Sequence, residues 1–217
     1  MLRWFSVGFC FLSCLSSLSS ADESKIRTLV VLGDSLAAGY SLDPTNAFPA
    51  VLQRTIRQAG LDVRVVNAGV SGDTTSGGLR RVDWVLKQSV DVLLLELGGN
   101  DGLRGQPVRL VQSNLVAIIR RTREKYPKCK IILAGMQLPA NLGRYAEEFG
   151  NLYAEVAKET GAALIPSLLE GVGGVPELNL ADQIHPTPQG HERVAATVWK
   201  TLEPVLREES VQPRQSK

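Results

Sequence analysis

The feature that most constrains this chain is an alternation between two hydrophobic periods. Short, nearly unbroken apolar runs rich in β-branched residues occur at 28–33, 63–66, 92–97, 131–134 and 162–165. Runs of that length and composition read as strands buried on both faces. Between them the apolar residues recur at helical spacing. Phe48, Val51, Leu52, Ile56 and Ala59 make one such face, ended by Gly60, and Leu110, Val111, Leu115, Ile118 and Ile119 make another. Segments 145–160 and 190–206 read the same way. Strand then helix, repeated along the chain with short connections, implies an α/β domain in which a parallel sheet is covered by helices on both faces.

The ends of the chain do not follow this alternation. Arg3 precedes an apolar stretch at 4–15, which gives way to Leu18-Ser19-Ser20-Ala21. A basic residue, a short apolar core and small residues at the end form the pattern of a secretory signal peptide. The apolar core is shorter than the roughly 20 residues a spanning helix needs, so no stable membrane anchor is expected. Residues 1–21 are therefore expected to be a cleaved leader, 22–206 the folded domain and 207–217 a polar tail. A periplasmic or secreted location follows from the leader.

Composition removes further classes. Lys+Arg number 24 against Asp+Glu 22, so the charge is near balance and neither a nucleic-acid partner nor a polybasic membrane patch is expected. Cys10 and Cys14 fall in the leader, which leaves Cys129 as a partly buried structural thiol with no intramolecular disulfide partner. The chain has 2 histidines, His185 and His191, too few for a three-histidine zinc site, and neither stands in an HExxH pattern. No metal or cofactor is expected, and the chain is expected to be a monomer or weak dimer.

In an open parallel sheet, ligands bind outside the carboxyl ends of the strands. Four polar, glycine-rich clusters fall there. Gly33-Asp34-Ser35-Leu36-Ala37-Ala38-Gly39-Tyr40 follows the first strand, and Asn67-Ala68-Gly69-Val70-Ser71-Gly72-Asp73-Thr74 the second. Gly98-Gly99-Asn100-Asp101-Gly102 follows the third, and Asp182-Gln183-Ile184-His185-Pro186 precedes the last helix. In the last of these an aspartate three residues before a histidine can reach one ring nitrogen and fix the tautomer. His191 lies within the following helix and is expected to be half-exposed there. Ser35, at a turn directly after a buried strand, is the natural nucleophile for a base at His185, although a serine there also serves as a helix cap. An acyl-transfer serine needs donors aimed at an oxyanion. The Ser35 N–H, the Gly72 N–H and the Asn100 amide are the candidates.

These blocks, Gly33-Asp34-Ser35-Leu36, Gly72, Gly98-Gly99-Asn100-Asp101 and Asp182-Gln183-Ile184-His185-Pro186, resemble those of the GDSL/SGNH hydrolases in order and separation. Segments 67–75, 96–105 and 138–143 are similar to its periplasmic arylesterase, acyl-CoA thioesterase and lysophospholipase branch. The resemblance implies a three-layer α/β/α flavodoxin-like fold with a five-stranded parallel sheet of order 2-1-3-4-5. It also implies Ser35 as nucleophile, His185 as general base and acid, Asp182 as its orienting carboxylate, and an oxyanion hole from Ser35, Gly72 and Asn100. The Gly-x-Ser-x-Gly elbow of α/β-hydrolases is absent.

The expected substrate is a small-molecule ester or thioester, acyl or aryl. Leu36, Met136, Leu138, Pro139 and Ile184 are expected near the rim as an acyl groove, with Leu142 and Tyr145 bounding it by family analogy and segment 74–80 as a flexible run above it. Asp34 and Asp101 are expected to fix turns through backbone N–H groups. Glu96, a carboxyl inside an apolar strand, is expected to anchor the turn after the third strand. A carbohydrate acetylesterase of the same fold, or a noncatalytic ligand-binding module, are the alternatives. No GxxxxGK or GxGxxG supports a nucleotide-binding module.

Overall fold

Five parallel strands form the central sheet of the computed structural model, which describes residues 26–208. They are β1 (Arg27–Gly33), β2 (Val63–Gly69), β3 (Val92–Glu96), β4 (Lys130–Ala134) and β5 (Ala163–Ile165), in the order β2-β1-β3-β4-β5. Central β1 is flanked on both sides, and Leu29 through Leu32 have no exposed surface, which accounts for their unbroken apolar run. Its register sets Gly33 beside both Gly69 and Glu96, so the ends of β1, β2 and β3 lie side by side on one edge.

The helices are α1 (Ser35–Ala38), α2 (Phe48–Gln58), α3 (Thr75–Val85), α4 (Gly99–Leu103), α5 (Val108–Lys125), α6 (Arg144–Thr160) and α7 (Pro188–Glu208). α2 packs on α7, while α5 packs between α3 and α6, giving the two outer layers of an α/β/α sandwich. Each long helix buries one stripe. In α5 that stripe is Val111, Leu115, Ile118, Ile119 and Thr122, and in α7 it is His191, Val194, Ala195, Val198, Leu202 and Leu206. The layers, the sheet and the strand order agree with the expectation. Residues 1–21 and most of the tail fall outside the described residues, and α7 continues through Arg207 and Glu208.

Two expectations are corrected. Segment 74–80 is not a flexible run: from Thr75 onward it is the start of α3, with the Thr74 hydroxyl accepting from Gly77 N at 3.2 Å. Asn114 of α5 holds the hydroxyls of Thr75 at 3.0 Å and Ser76 at 2.9 Å, so interhelical bonds supply the order that the weak helix formers there do not. His191 is not half-exposed but buried at 1% exposure. Cys129 is buried, its Sγ 3.5 Å from the Lys130 carbonyl. Among the described residues no helix is long and apolar enough to cross a membrane. No cluster of His, Cys, Asp and Glu among them could hold a metal ion.

Candidate active site

Ser35 lies just past Asp34 after β1 and opens α1, where it is 8% exposed. Its Oγ lies 2.9 Å from His185 Nε2. The histidine comes from the loop before α7, which is pinned by Leu180 N donating to the His185 carbonyl at 2.7 Å and by a bridge between Asn179 and Pro186. Gln183 in that loop adopts the left-handed region at φ 57°, uncommon for a residue with a side chain. The resulting turn brings the Asp182 carboxylate back over the two residues that follow. Asp182 Oδ1 accepts from Ile184 N at 2.9 Å and His185 N at 3.0 Å, and Oδ2 faces His185 Nδ1 at 2.7 Å. The His185 backbone N–H, with the imidazole and the Ile184 N–H after it, holds this carboxyl down to about 2 from its ordinary 3.8. Asp182 is thus an anion across the neutral range, and it fixes the ring so that Nε2 is the nitrogen presented to Ser35. The Tyr40 ring lies over the imidazole with centroids 4.3 Å apart.

The N–H groups around Ser35 are allocated by two buried carboxyls. Asp34 Oδ1 accepts from Leu36 N at 3.0 Å and caps α1. Glu96 Oε2 accepts from Asp34 N at 3.1 Å and Ala37 N at 3.2 Å. Glu96 therefore anchors the turn after β1, not the turn after its own strand. In that first turn the Ser35 N–H alone has no acceptor among the described residues. Gly72 sits after β2 at φ 78°, the left-handed conformation that glycine adopts without steric cost, and its N–H also has no acceptor there. Asn100, in α4, donates one amide hydrogen from Nδ2 to Asp34 Oδ2 at 3.0 Å, which leaves its second hydrogen available.

Three further side chains hold these loops together. Arg104 Nη2 donates to the Gly72 carbonyl at 3.1 Å and to Asn100 Oδ1 at 3.4 Å, linking the second and third blocks. Arg81 donates to Asp73 Oδ2 at 2.7 Å, to the Ala68 carbonyl at 2.7 Å and to the Gly33 carbonyl at 2.9 Å, tying the Gly72 loop to the ends of β1 and β2. Asp101, 1% exposed, accepts from Thr75 N at 2.8 Å and Thr75 Oγ1 at 2.7 Å, so it fixes the start of α3. Asp34 and Asp101 thus do bond backbone N–H groups, as their placement led one to expect.

The apolar residues expected to line a groove divide between core and rim. Leu36 and Met136 are buried in the core, Leu138 packs against it, and Pro139 and Ile184 are exposed. Leu142 is exposed, and the half-buried Tyr145 donates from its hydroxyl to the Gln106 carbonyl at 2.7 Å. Sequence reasoning missed Tyr40, Arg81 and Arg104. Tyr40 and Arg104 stand within the recognised blocks, and it is only their neighbours in space that give them a role.

Comparison with known proteins agrees with this fold. Residues 31–193 match the model of the GDSL-like lipase/acylhydrolase family. The chain is 42% identical to Esterase TesA of Pseudomonas aeruginosa over 195 residues, covering 89% of this chain and 96% of the relative. It is 36% identical to Thioesterase 1/protease 1/lysophospholipase L1 of Escherichia coli K12 over 212 residues, 97% of each. A crystal structure of TesA superposes with a TM-score of 0.80 at 43% identity, covering 82% of this chain and 99% of that one. Fold, block order and relatives converge: the chain belongs to the GDSL-like lipase/acylhydrolase family.

Proposed function

We propose that the protein is a serine hydrolase of carboxylic esters and acyl thioesters, with Ser35 as nucleophile, His185 as general base and acid and Asp182 as the carboxylate that orients it. The observation that carries this reading is the relay Ser35 Oγ to His185 Nε2 at 2.9 Å and His185 Nδ1 to Asp182 Oδ2 at 2.7 Å. Relatives named esterase, arylesterase and thioesterase/lysophospholipase support the substrate class.

Ser35 Oγ attacks the carbonyl carbon while its proton passes to His185 Nε2. The Asp182 anion stabilises the imidazolium so formed. The tetrahedral oxyanion is held by the Ser35 and Gly72 N–H groups and the second hydrogen of Asn100 Nδ2, donors whose positions are set before substrate arrives. The C–O or C–S bond then breaks, the leaving alkoxide or thiolate takes the proton from Nε2, and water repeats the sequence to release the acid. Pro139 and Ile184 at the rim, with Leu138 and Leu36 behind them, form the acyl side of the site. The protein acts in the periplasm or outside the cell, on the strength of the leader pattern at 1–21.

A fluorophosphonate probe is expected to label the wild type stoichiometrically and to leave Ser35→Ala unlabelled, and absence of label on the wild type would overturn the reading. A turnover panel of p-nitrophenyl esters, acyl-CoAs, lysophospholipids and acetylated sugars then ranks the substrates. Fastest turnover of acetylated sugars would replace acyl esters by carbohydrate acetates.

A further inference from the structure

Two carboxyls, Asp34 and Glu96, are buried side by side beneath Ser35 at 2% and 0% exposure, and the mechanism uses neither of them. Their environments are unequal. Asp34 has Leu36 N on one oxygen and Asn100 Nδ2 on the other, each at 3.0 Å. Glu96 has two backbone N–H groups on Oε2 only, and its Oε1 has no hydrogen-bond partner among the described residues. A buried carboxylate oxygen without a donor is costly for an anion and tolerable for a neutral carboxyl. With Glu96 Oε2 on the Asp34 backbone N–H, the two carboxyls share one apolar setting, where like charges so placed do not both ionise. Neither nearby guanidinium bonds these carboxyls: Arg81 is spent on the Gly33 and Ala68 carbonyls and on Asp73, and Arg104 on the Gly72 carbonyl and Asn100 Oδ1.

We propose that Glu96 carries a proton at neutral pH and that it acts, through Asp34, as the positioning residue that aims the Asn100 amide into the oxyanion site. Burial, and then the adjacent Asp34 charge, push the Glu96 carboxyl well up from its ordinary range, in agreement with the geometry. The proton on Glu96 leaves Asp34 ionised. The Asp34 anion takes one Asn100 hydrogen at 3.0 Å, and this, with the longer Arg104 contact to Asn100 Oδ1 at 3.4 Å, decides which end of the amide is the donor and where its second hydrogen points. Glu96 also holds Asp34 N and Ala37 N, so the same carboxyl sets the turn that carries Ser35. The contact is specified from both sides, because a Cβ at position 33 would collide with Glu96 Oε2. Asp101, Tyr153 and Tyr145 are the remaining titratable groups electrostatically linked to this cluster, and Tyr153 donates to the Leu97 carbonyl at 3.1 Å.

The inference rests on Asn100 being an oxyanion donor, and its test separates the two claims. Asn100→Ala is expected to lower kcat by about 10²–10³. Asp34→Asn, which turns an amide N–H toward Asn100 Nδ2, is expected to lower kcat by about the same factor with KM little changed, and the double variant is expected to be no slower than Asn100→Ala. Glu96→Gln, which keeps an acceptor for the two backbone N–H groups, is expected to fold and to keep kcat within about threefold, whereas Glu96→Ala, which strands both, loses stability and rate. Infrared difference spectra of wild type against Glu96→Gln are expected to show a protonated-carboxyl carbonyl band at neutral pH. Absence of that band, or a Glu96→Gln variant as impaired as Glu96→Ala, overturns the protonated state. A slow Asn100→Ala with a fast Asp34→Asn, or losses that multiply in the double variant, overturns the positioning role. A fast Asn100→Ala overturns the oxyanion assignment itself and the positioning role with it, while the infrared band still decides the proton.

Discussion

The two histidines stand six residues apart and are used in opposite ways. His185 is in a loop, and its Nδ1 faces a carboxylate, Asp182 Oδ2, at 2.7 Å. His191 is on the buried face of α7, and its Nδ1 faces a donor, Phe48 N, at 3.2 Å. A partner that accepts requires the proton on Nδ1 and frees Nε2 as a base, and a partner that donates requires Nδ1 bare and the proton on Nε2. The second arrangement resists a further proton, because the Phe48 N–H already occupies Nδ1. Burial, with His185 nearby as a lesser cause, holds His191 down to about 4 from its ordinary 6.5. In the first case the proposed mechanism uses an imidazole to move a proton. In the second the protein uses one as a neutral cap for α2, whose own Ncap residue, Ala47, has no side chain able to accept.

Replacing each histidine in turn breaks the comparison most sharply. His185→Ala is expected to lower kcat by about 10⁶, because the members of such a relay act as a unit. His191→Asn, which puts an amide oxygen near the lost Nδ1, is expected to leave kcat within a few-fold. Steady-state turnover of one p-nitrophenyl ester by both variants measures this, and comparable losses would show that the division of labour is wrong.

Changing the partner and keeping the ring tests the tautomer itself. In Asp182→Asn the amide oxygen stays with the Ile184 and His185 N–H groups, so the amide nitrogen turns to Nδ1. The ring must then carry its proton on Nε2, where it cannot accept from Ser35. The expected loss in kcat is about 10⁴, with folding intact. Single-turnover acylation and a urea melt check the two halves. A variant with near wild-type acylation would mean that orientation, not tautomer, is what Asp182 supplies.

Much of this was legible in the residues. The β-branched runs gave the strands because both faces of the sheet are covered, and the Asp-x-x-His spacing gave the Asp182–His185 contact because its geometry is local. The strand order came from family resemblance, since periodicity carries no information on which strands pair. Three misreadings have separate physical causes. Segment 74–80 reads as loop from Thr, Ser and Gly propensities, yet Asp101 and Asn114, distant in sequence, fix the first turn of α3. The turn that Glu96 anchors is not readable from its own strand, because its partners, Asp34 N and Ala37 N, lie across the sheet in the turn after β1 and in α1. The burial of His191 was readable and overlooked: His191, Val194, Ala195, Val198 and Leu202 fall at helical spacing on one face, and a histidine in that series belongs to the buried stripe.

The smallest expected effect is in stability and isolates the neutral histidine. His191 is depressed in the folded protein, so at pH above its ordinary 6.5 it is neutral both folded and unfolded and contributes no pH dependence. As pH falls from 6.5 toward 4 the unfolded chain takes up a proton that the folded one refuses, and stability drops across that window and levels off below it. The full drop is about 3 kcal/mol, a substantial part of a typical domain's 5–15 kcal/mol. Asp34 and Glu96, both pushed up by burial, work in the other direction, since a carboxyl that takes up its proton at higher pH in the fold than in the unfolded chain gains relative stability as pH falls. The wild-type curve alone therefore mixes the two. Subtracting it from that of His191→Asn, in which every carboxyl is retained, removes the opposing part. Urea melts of both proteins from about pH 7.5 to 4 are expected to show the wild type losing about 3 kcal/mol more than the variant. Parallel curves would mean that His191 takes up its proton as readily folded as unfolded, and the contrast between the two rings would reduce to their position in the chain.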